Sequence, residues 1–184
     1  MEFCHTDDFT VRLFKLLALR TQGRVQQGLV FAALRYRYGG NLRVTTKKTF
    51  AADDQSSRKR DRYVGDIQIW KGDDLLSVIE VKDAVVDGEA WRRVSETHAV
   101  HEYALFLVAT GFRPKRLQQE ISEILNTFAL HLWDFLIATV FDTSSTQGIR
   151  GTAALEHIIE IYNHEFCEVI ENDDRIKVVV VTDN

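Results

Sequence analysis

Cysteine is scarce in this chain. Cys4 and Cys167 stand alone, with no Cys-x-x-Cys pair. Two isolated thiols argue against a disulfide framework and against a cysteine-based zinc site. A reducing, cytoplasmic setting is then the expectation. Long apolar runs are missing as well. No stretch approaches the ~20 residues that a membrane span needs, and the opening MEFCHTDDF does not read as a signal peptide. There is one proline, Pro114, and there is no internal repeat. The chain has no glycine-rich phosphate loop and no Ser-His-Asp or Cys-His arrangement in a supporting context. His5, His131, His157 and His164 are scattered and read as structural or exposed. An excess of positive charge is also lacking. The 23 Lys and Arg against 27 Asp and Glu leave a net charge of −4, which is unusual for a plain nucleic-acid-binding module. The remainder, 45% hydrophobic and 27% charged over 184 residues, fits one soluble globular domain spanning 1–184.

The chain is organised around residues 63–83, YVGDIQIWKGDDLLSVIEVKD. Residues 63–70 and 75–82 read as two strands, and Lys71-Gly72-Asp73-Asp74 between them is turn chemistry. Successive side chains of a strand point to opposite faces. Ile67 and Ile79 therefore belong to an apolar face, whereas Asp66, Gln68, Glu80 and Lys82 belong to a polar one. Pairing Asp66 with Glu80 sets Ile67 against Ile79 and Trp70 against Leu76. A slip of one residue would exchange the faces, so an odd-length loop or a bulge is predicted near 73–75. Two carboxylates converging on one point suit a hard divalent cation. Such an ion polarises a phosphoryl oxygen and acidifies a bound water. Lys82 is on the same face, placed to orient or deprotonate that water or to stabilise developing charge.

At these residues the chain resembles the PD-(D/E)xK nuclease superfamily, the restriction-endonuclease-like proteins, with type II restriction enzymes of the SacI group nearest. Asp66 matches the first acid, Glu80 the second and Lys82 the lysine. Gly65 stands where the motif name has proline. The resemblance covers about 9–133, leaving a helical extension of about 134–184. It implies Mg²⁺, for which Mn²⁺ can substitute, held by Asp66, Glu80 and the Val81 carbonyl. It also implies double-stranded DNA as substrate, a defence setting, and a homodimer or larger assembly, because cutting both strands usually takes two sites.

Around the hairpin, 9–37 reads as helix, interrupted near 21–24, with Asp7 or Asp8 as a cap. Gln26 and Gln27 are its nearest polar candidates for the site. Residues 42–50 read as a strand and 51–62 as a polar loop. Lys47, Lys48, Arg58, Lys59, Arg60 and Arg62 cluster just ahead of the hairpin, as phosphate contacts would. A helix is predicted over 87–103, where His98 and Glu102 fall at i and i+4 on one face, candidates for water positioning or metal support. The apolar run 104–110 reads as a strand buried on both faces. Then come a helix over 114–126, with Lys115 and Arg116 as further backbone contacts, a strand over 128–133 and a helix over 134–141. A loop over 144–151, an acidic amphipathic helix over 152–171 and a β-rich segment over 176–181 complete the chain.

This order argues for an α/β protein with a mixed central sheet flanked by helices, which matches the restriction-endonuclease-like core αβββαβ. The expected activity is Mg²⁺-dependent hydrolysis of DNA. A non-catalytic nucleic-acid-binding or assembly module on the same fold, or a repair nuclease, is the alternative. The position of the three hairpin side chains discriminates between enzyme and module.

Overall fold

The computed structural model describes residues 6–19, 21, 23–47, 64–98, 102–148 and 151–169. Two helices, α1 (Thr6–Leu17) and α2 (Arg24–Tyr38), precede the strands β1 (Arg43–Thr46), β2 (Ile67–Lys71) and β3 (Asp74–Val86). Helix α3 (Gly88–Thr97), strand β4 (Ala104–Phe112), helix α4 (Arg116–Ser122) and strand β5 (Thr127–His131) follow. Helix α5 (Leu132–Gln147) then leads to α6 (Gly151–Ile161), which continues through a π-helical segment, Tyr162–Phe166, into the short α7 (Cys167–Val169). The protein is thus α/β, with a five-stranded sheet in the order β1-β2-β3-β4-β5. Strands β1, β2 and β3 are antiparallel, while β3, β4 and β5 run parallel through the crossovers of α3 and α4.

Both faces of the sheet are covered. Ile67, Ile69, Ile79, Val81 and Val108 join one apolar cluster with α2, α5 and α6. Val78, Leu105, Leu107, Ala109 and Ala129 join a second with α3 and α4. This explains why β4 is apolar throughout: Leu105, Leu107 and Val108 are fully buried, each contributing about 2 kcal/mol relative to exposure. The hairpin has the expected apolar and polar sides, and the polar one is itself largely covered: Asp66, Gln68 and Glu80 are buried, while Lys82 is half-exposed. Gln68 donates from Nε2 to the Val64 carbonyl at 3.0 Å.

The hairpin register is close to that predicted. Ile67 faces Ile79, Gln68 faces Val78 and Ile69 faces Ser77. The turn is Gly72-Asp73, flanked by the pair Lys71 and Asp74, with Gly72 at φ 60° as a two-residue hairpin turn of the primed kind requires. The register shifts between Ile69 and Trp70, leaving Leu76 as the extra residue. Trp70 consequently faces Leu75, not Leu76.

Other boundaries moved. The expected break near 21–24 is present, but α1 begins at Thr6, ahead of the proposed cap. Asp87 caps α3 by accepting from the Ala90 N–H at 2.8 Å. That helix stops at Thr97, six residues short of the prediction, with His98 as its C-cap. Helix α5 runs on to Gln147, through the first half of the expected loop. Residues 176–181 lie outside the described part.

Candidate active site

Asp66 precedes β2 at the point where the hairpin opens. Its neighbour Gly65 has φ 75°, and a Cβ there would sit 2.3 Å from Val78 Cγ1. Proline, fixed near φ −65°, does not fit this backbone, which accounts for the departure from the motif. Asp66 is 3% exposed. Its N–H donates to the Ile79 carbonyl at 3.0 Å. Its own carbonyl accepts from Thr46 Oγ1 at 3.0 Å and from Gln27 Nε2 at 3.4 Å. The carboxylate is held as firmly: Oδ2 accepts the Val81 N–H at 2.8 Å, and Oδ1 is paired with the Lys47 ammonium.

Glu80 lies in mid-β3, 9% exposed. Its Oε1 is 3.0 Å from His98 Nε2, and its Oε2 accepts from Lys82 Nζ at 3.0 Å. His98 is 1% exposed, and its Nδ1 lies 2.9 Å from the Tyr103 hydroxyl. The end of α3 turns the imidazole inward, so that a chain runs from Tyr103 through His98 to Glu80.

The electrostatics bind the three hairpin groups into one unit. Burial pushes Glu80 up, but the His98 hydrogen bond and the Lys82 ammonium outweigh it and hold the carboxyl at about 2. Burial, then the adjacent Glu80 charge, push Asp66 up against the pull of Lys47 and Lys82. Burial alone would lower Lys82, yet Glu80 and Asp66 raise it above its ordinary range. Lys82 donates one of its hydrogen bonds to Glu80 Oε2.

Asp66, Val81 and Lys82 line an open cavity of about 320 Å³, together with Gln27, Lys47 and Asp83. A larger groove of about 770 Å³ runs along β1 past Arg43 and Trp70. Its one acid, Glu165, is engaged by Arg35 at 2.6 Å, and Asp66, Glu80 and Lys82 are not among its lining residues. No protein-family model matches the chain, and no curated protein matches it. The site is therefore read from its own geometry. Among the described residues no three His, Cys, Asp or Glu side chains form a cation cage. Two carboxylates, a carbonyl and water are nevertheless the donor set that Mg²⁺ takes, since it keeps several waters. The fit is visible in the charges: one oxygen of each carboxylate already holds a cationic group, Lys47 on Asp66 and Lys82 on Glu80, although of the two acids only Asp66 lines the cavity.

The structure brings Asp66, Glu80, Lys82 and His98 together. It separates Glu102, which is exposed beyond the end of α3 and shares no helix face with His98. Gln26 is spent elsewhere, donating to the Leu17 and Leu19 carbonyls, each at 3.0 Å. Gln27 is the one that reaches the site, through Thr46 at 2.9 Å. Lys47, grouped by sequence with the phosphate contacts, is on Asp66. Lys48, Arg58, Lys59, Arg60 and Arg62 lie outside the described residues. Lys115 is exposed, and Arg116 pairs with Glu120 at 3.3 Å. Tyr103 was not singled out. Its role depends on the turn after α3, and no residue pattern carries that.

Proposed function

We propose that the protein is a metal-dependent endodeoxyribonuclease of the PD-(D/E)xK, restriction-endonuclease-like kind. The proposed substrate is double-stranded DNA, the setting cytoplasmic defence, and the working form a homodimer or larger assembly. The observation that carries the proposal is the buried, mutually charged set of Asp66, Glu80 and Lys82 beside an open cavity. Buried charges are costly unless something returns the cost, and an exposed structural ion pair would not need Asp66 at 3% exposure. The mixed five-stranded sheet, entered through helix and hairpin, is consistent with the αβββαβ core. No helix among the described residues is long and apolar enough to cross a membrane.

Asp66, Glu80 and the Val81 carbonyl would hold Mg²⁺, which supplies Lewis-acid polarisation of a phosphoryl oxygen and a more acidic water. Val81 N–H and His98 keep one oxygen of each carboxylate fixed, so the remaining oxygens are preorganised. The Lys82 ammonium would orient the attacking water through a lone pair and stabilise negative charge on the phosphoryl oxygens; as the water oxygen bonds to phosphorus it gives a proton to solvent, and the P–O bond to the leaving oxygen breaks, that oxygen taking a proton from solvent. The decisive experiment is incubation of plasmid with the protein and Mg²⁺, against EDTA and against Lys82→Ala. Nicking or linearisation is expected with Mg²⁺ and absent from both controls. Cutting that persists in Lys82→Ala would move the site elsewhere. Failure to cut any DNA would return the hairpin to a binding or assembly role.

A further inference from the structure

The two acids are built alike. Each has one oxygen on a nitrogen of the buried frame, Val81 N for Asp66 and His98 Nε2 for Glu80. Each has the other oxygen on an ammonium, Lys47 for Asp66 and Lys82 for Glu80. These two nitrogens cannot move without unmaking that frame, since one is strand backbone and the other belongs to the buried His98. The ammoniums are different. The Lys47 side chain is 36% exposed against 4% for its partner carboxylate, so the fixed member of the pair is the acid and the movable one is the lysine. Lys82 bears on both acids, and its departure would leave both. Lys47 bears on Asp66 and is not among the groups acting on Glu80. Its departure therefore leaves the Glu80–Lys82 pair intact.

An ammonium on a carboxylate oxygen competes with a divalent cation for it, since like charges close together repel in a buried site. We propose that Lys47 occupies the metal-facing oxygen of Asp66 in the metal-free protein. A divalent cation displaces it, and the freed ammonium then contacts the substrate phosphate. Lys47 lines the same cavity as Lys82, so a phosphodiester entering there meets both. The inference rests on the nuclease reading. It gives Lys47 two successive partners, an internal carboxylate and an external phosphate. It also makes DNA affinity depend on the metal through a residue that is not a metal ligand.

The test uses the full chain and two probes: Mn²⁺ followed by electron paramagnetic resonance, and a short DNA duplex titrated in Ca²⁺ or in EDTA. Lys47→Met removes the ammonium and keeps the side-chain length. Releasing a charge-assisted hydrogen bond from the cation position should tighten Mn²⁺ binding by about tenfold. Lys47→Arg keeps a positive charge on Asp66 and should bind Mn²⁺ as the parent does. If Lys47→Met is poorly folded, Lys47→Gln removes the ammonium with a polar side chain, and the same tightening is expected. With DNA, Lys47→Met should lose affinity in Ca²⁺ and not in EDTA. The dependence of log K on log salt in Ca²⁺ should then fall by about one phosphate contact. Asp66→Asn separates the two failures. If Asp66→Asn loses Mn²⁺ and Lys47→Met gains none, the site stands and the Lys47 proposal is overturned. Equal loss of DNA binding in Ca²⁺ and EDTA overturns it too, by putting Lys47 on DNA throughout. If Asp66→Asn binds Mn²⁺ like the parent, the cation site itself is refuted, and this inference with it.

Discussion

Replacing Glu80 with Gln removes the charge that His98 and Lys82 are arranged to hold, and the consequence can be worked out. In the fold the carboxyl stands at about 2 against an ordinary value of 4.5. At about 1.36 kcal/mol for each pH unit, that gap corresponds to about 3 kcal/mol of stability at neutral pH. The sign follows from the direction. A depressed folded-state value means that the unfolded chain takes up the proton first, so the contribution is complete above about pH 4.5 and is lost as pH falls towards about 2. Asp66, pushed above its ordinary 3.8 by burial and by Glu80, works in the opposite sense. It opposes folding as pH rises past that value, so it does not mimic a loss on acidification. Urea unfolding of the parent and of Glu80→Gln, across a pH series, reads the effect. The parent should lose about 2 kcal/mol between about pH 4 and pH 2.5 that the variant does not lose. Parallel curves for the two proteins would refute the reasoning, because Glu80 would then not be held charged by its neighbours.

Asp66→Asn should trade function for stability. The amide oxygen still accepts the Val81 N–H, while the buried charge is gone, and Lys47 is exposed enough to return to water. A gain of about 1 kcal/mol at neutral pH, or about 2–4 °C in Tm for a chain of this size, is expected by calorimetry. Gly65→Ala meets a positive φ and Val78 Cγ1 at 2.3 Å. It should cost about 2 kcal/mol or more in urea unfolding, and a neutral result would mean that this backbone is not held as described.

The hairpin was legible because its signals are local. A glycine turn, alternating strands and the pairing of Ile67 with Ile79 all follow from neighbours in sequence. The burial of its polar face was not, since that depends on α3 arriving from outside the hairpin and placing His98 on Glu80. The expected i, i+4 pair of His98 and Glu102 presumed a helix that continued. The chain instead leaves the helix at His98, which frees the ring to turn inward. Gln26 and Gln27 are adjacent on a helix buried on nearly every side, so periodicity had no exposed face from which to tell them apart. Lys47 read as part of a basic cluster because its partner is 19 residues away, a separation that charge patterning does not register.

The extra residue at Leu76 has a meaning beyond the hairpin's shape. The turn pairs Lys71 with Asp74, and that phase, carried on unbroken, would bring Asp66 opposite Ile79; the shift at Leu76 resets the count so that Ile67 takes that place. One sheet thus contains two competing zippers, a smooth one that scatters the acids and a kinked one that gathers them. A chain lacking Leu76 would run straight from the same turn into the gathered phase. Its cation affinity would tell whether the site requires the kink or only the offset that the kink restores.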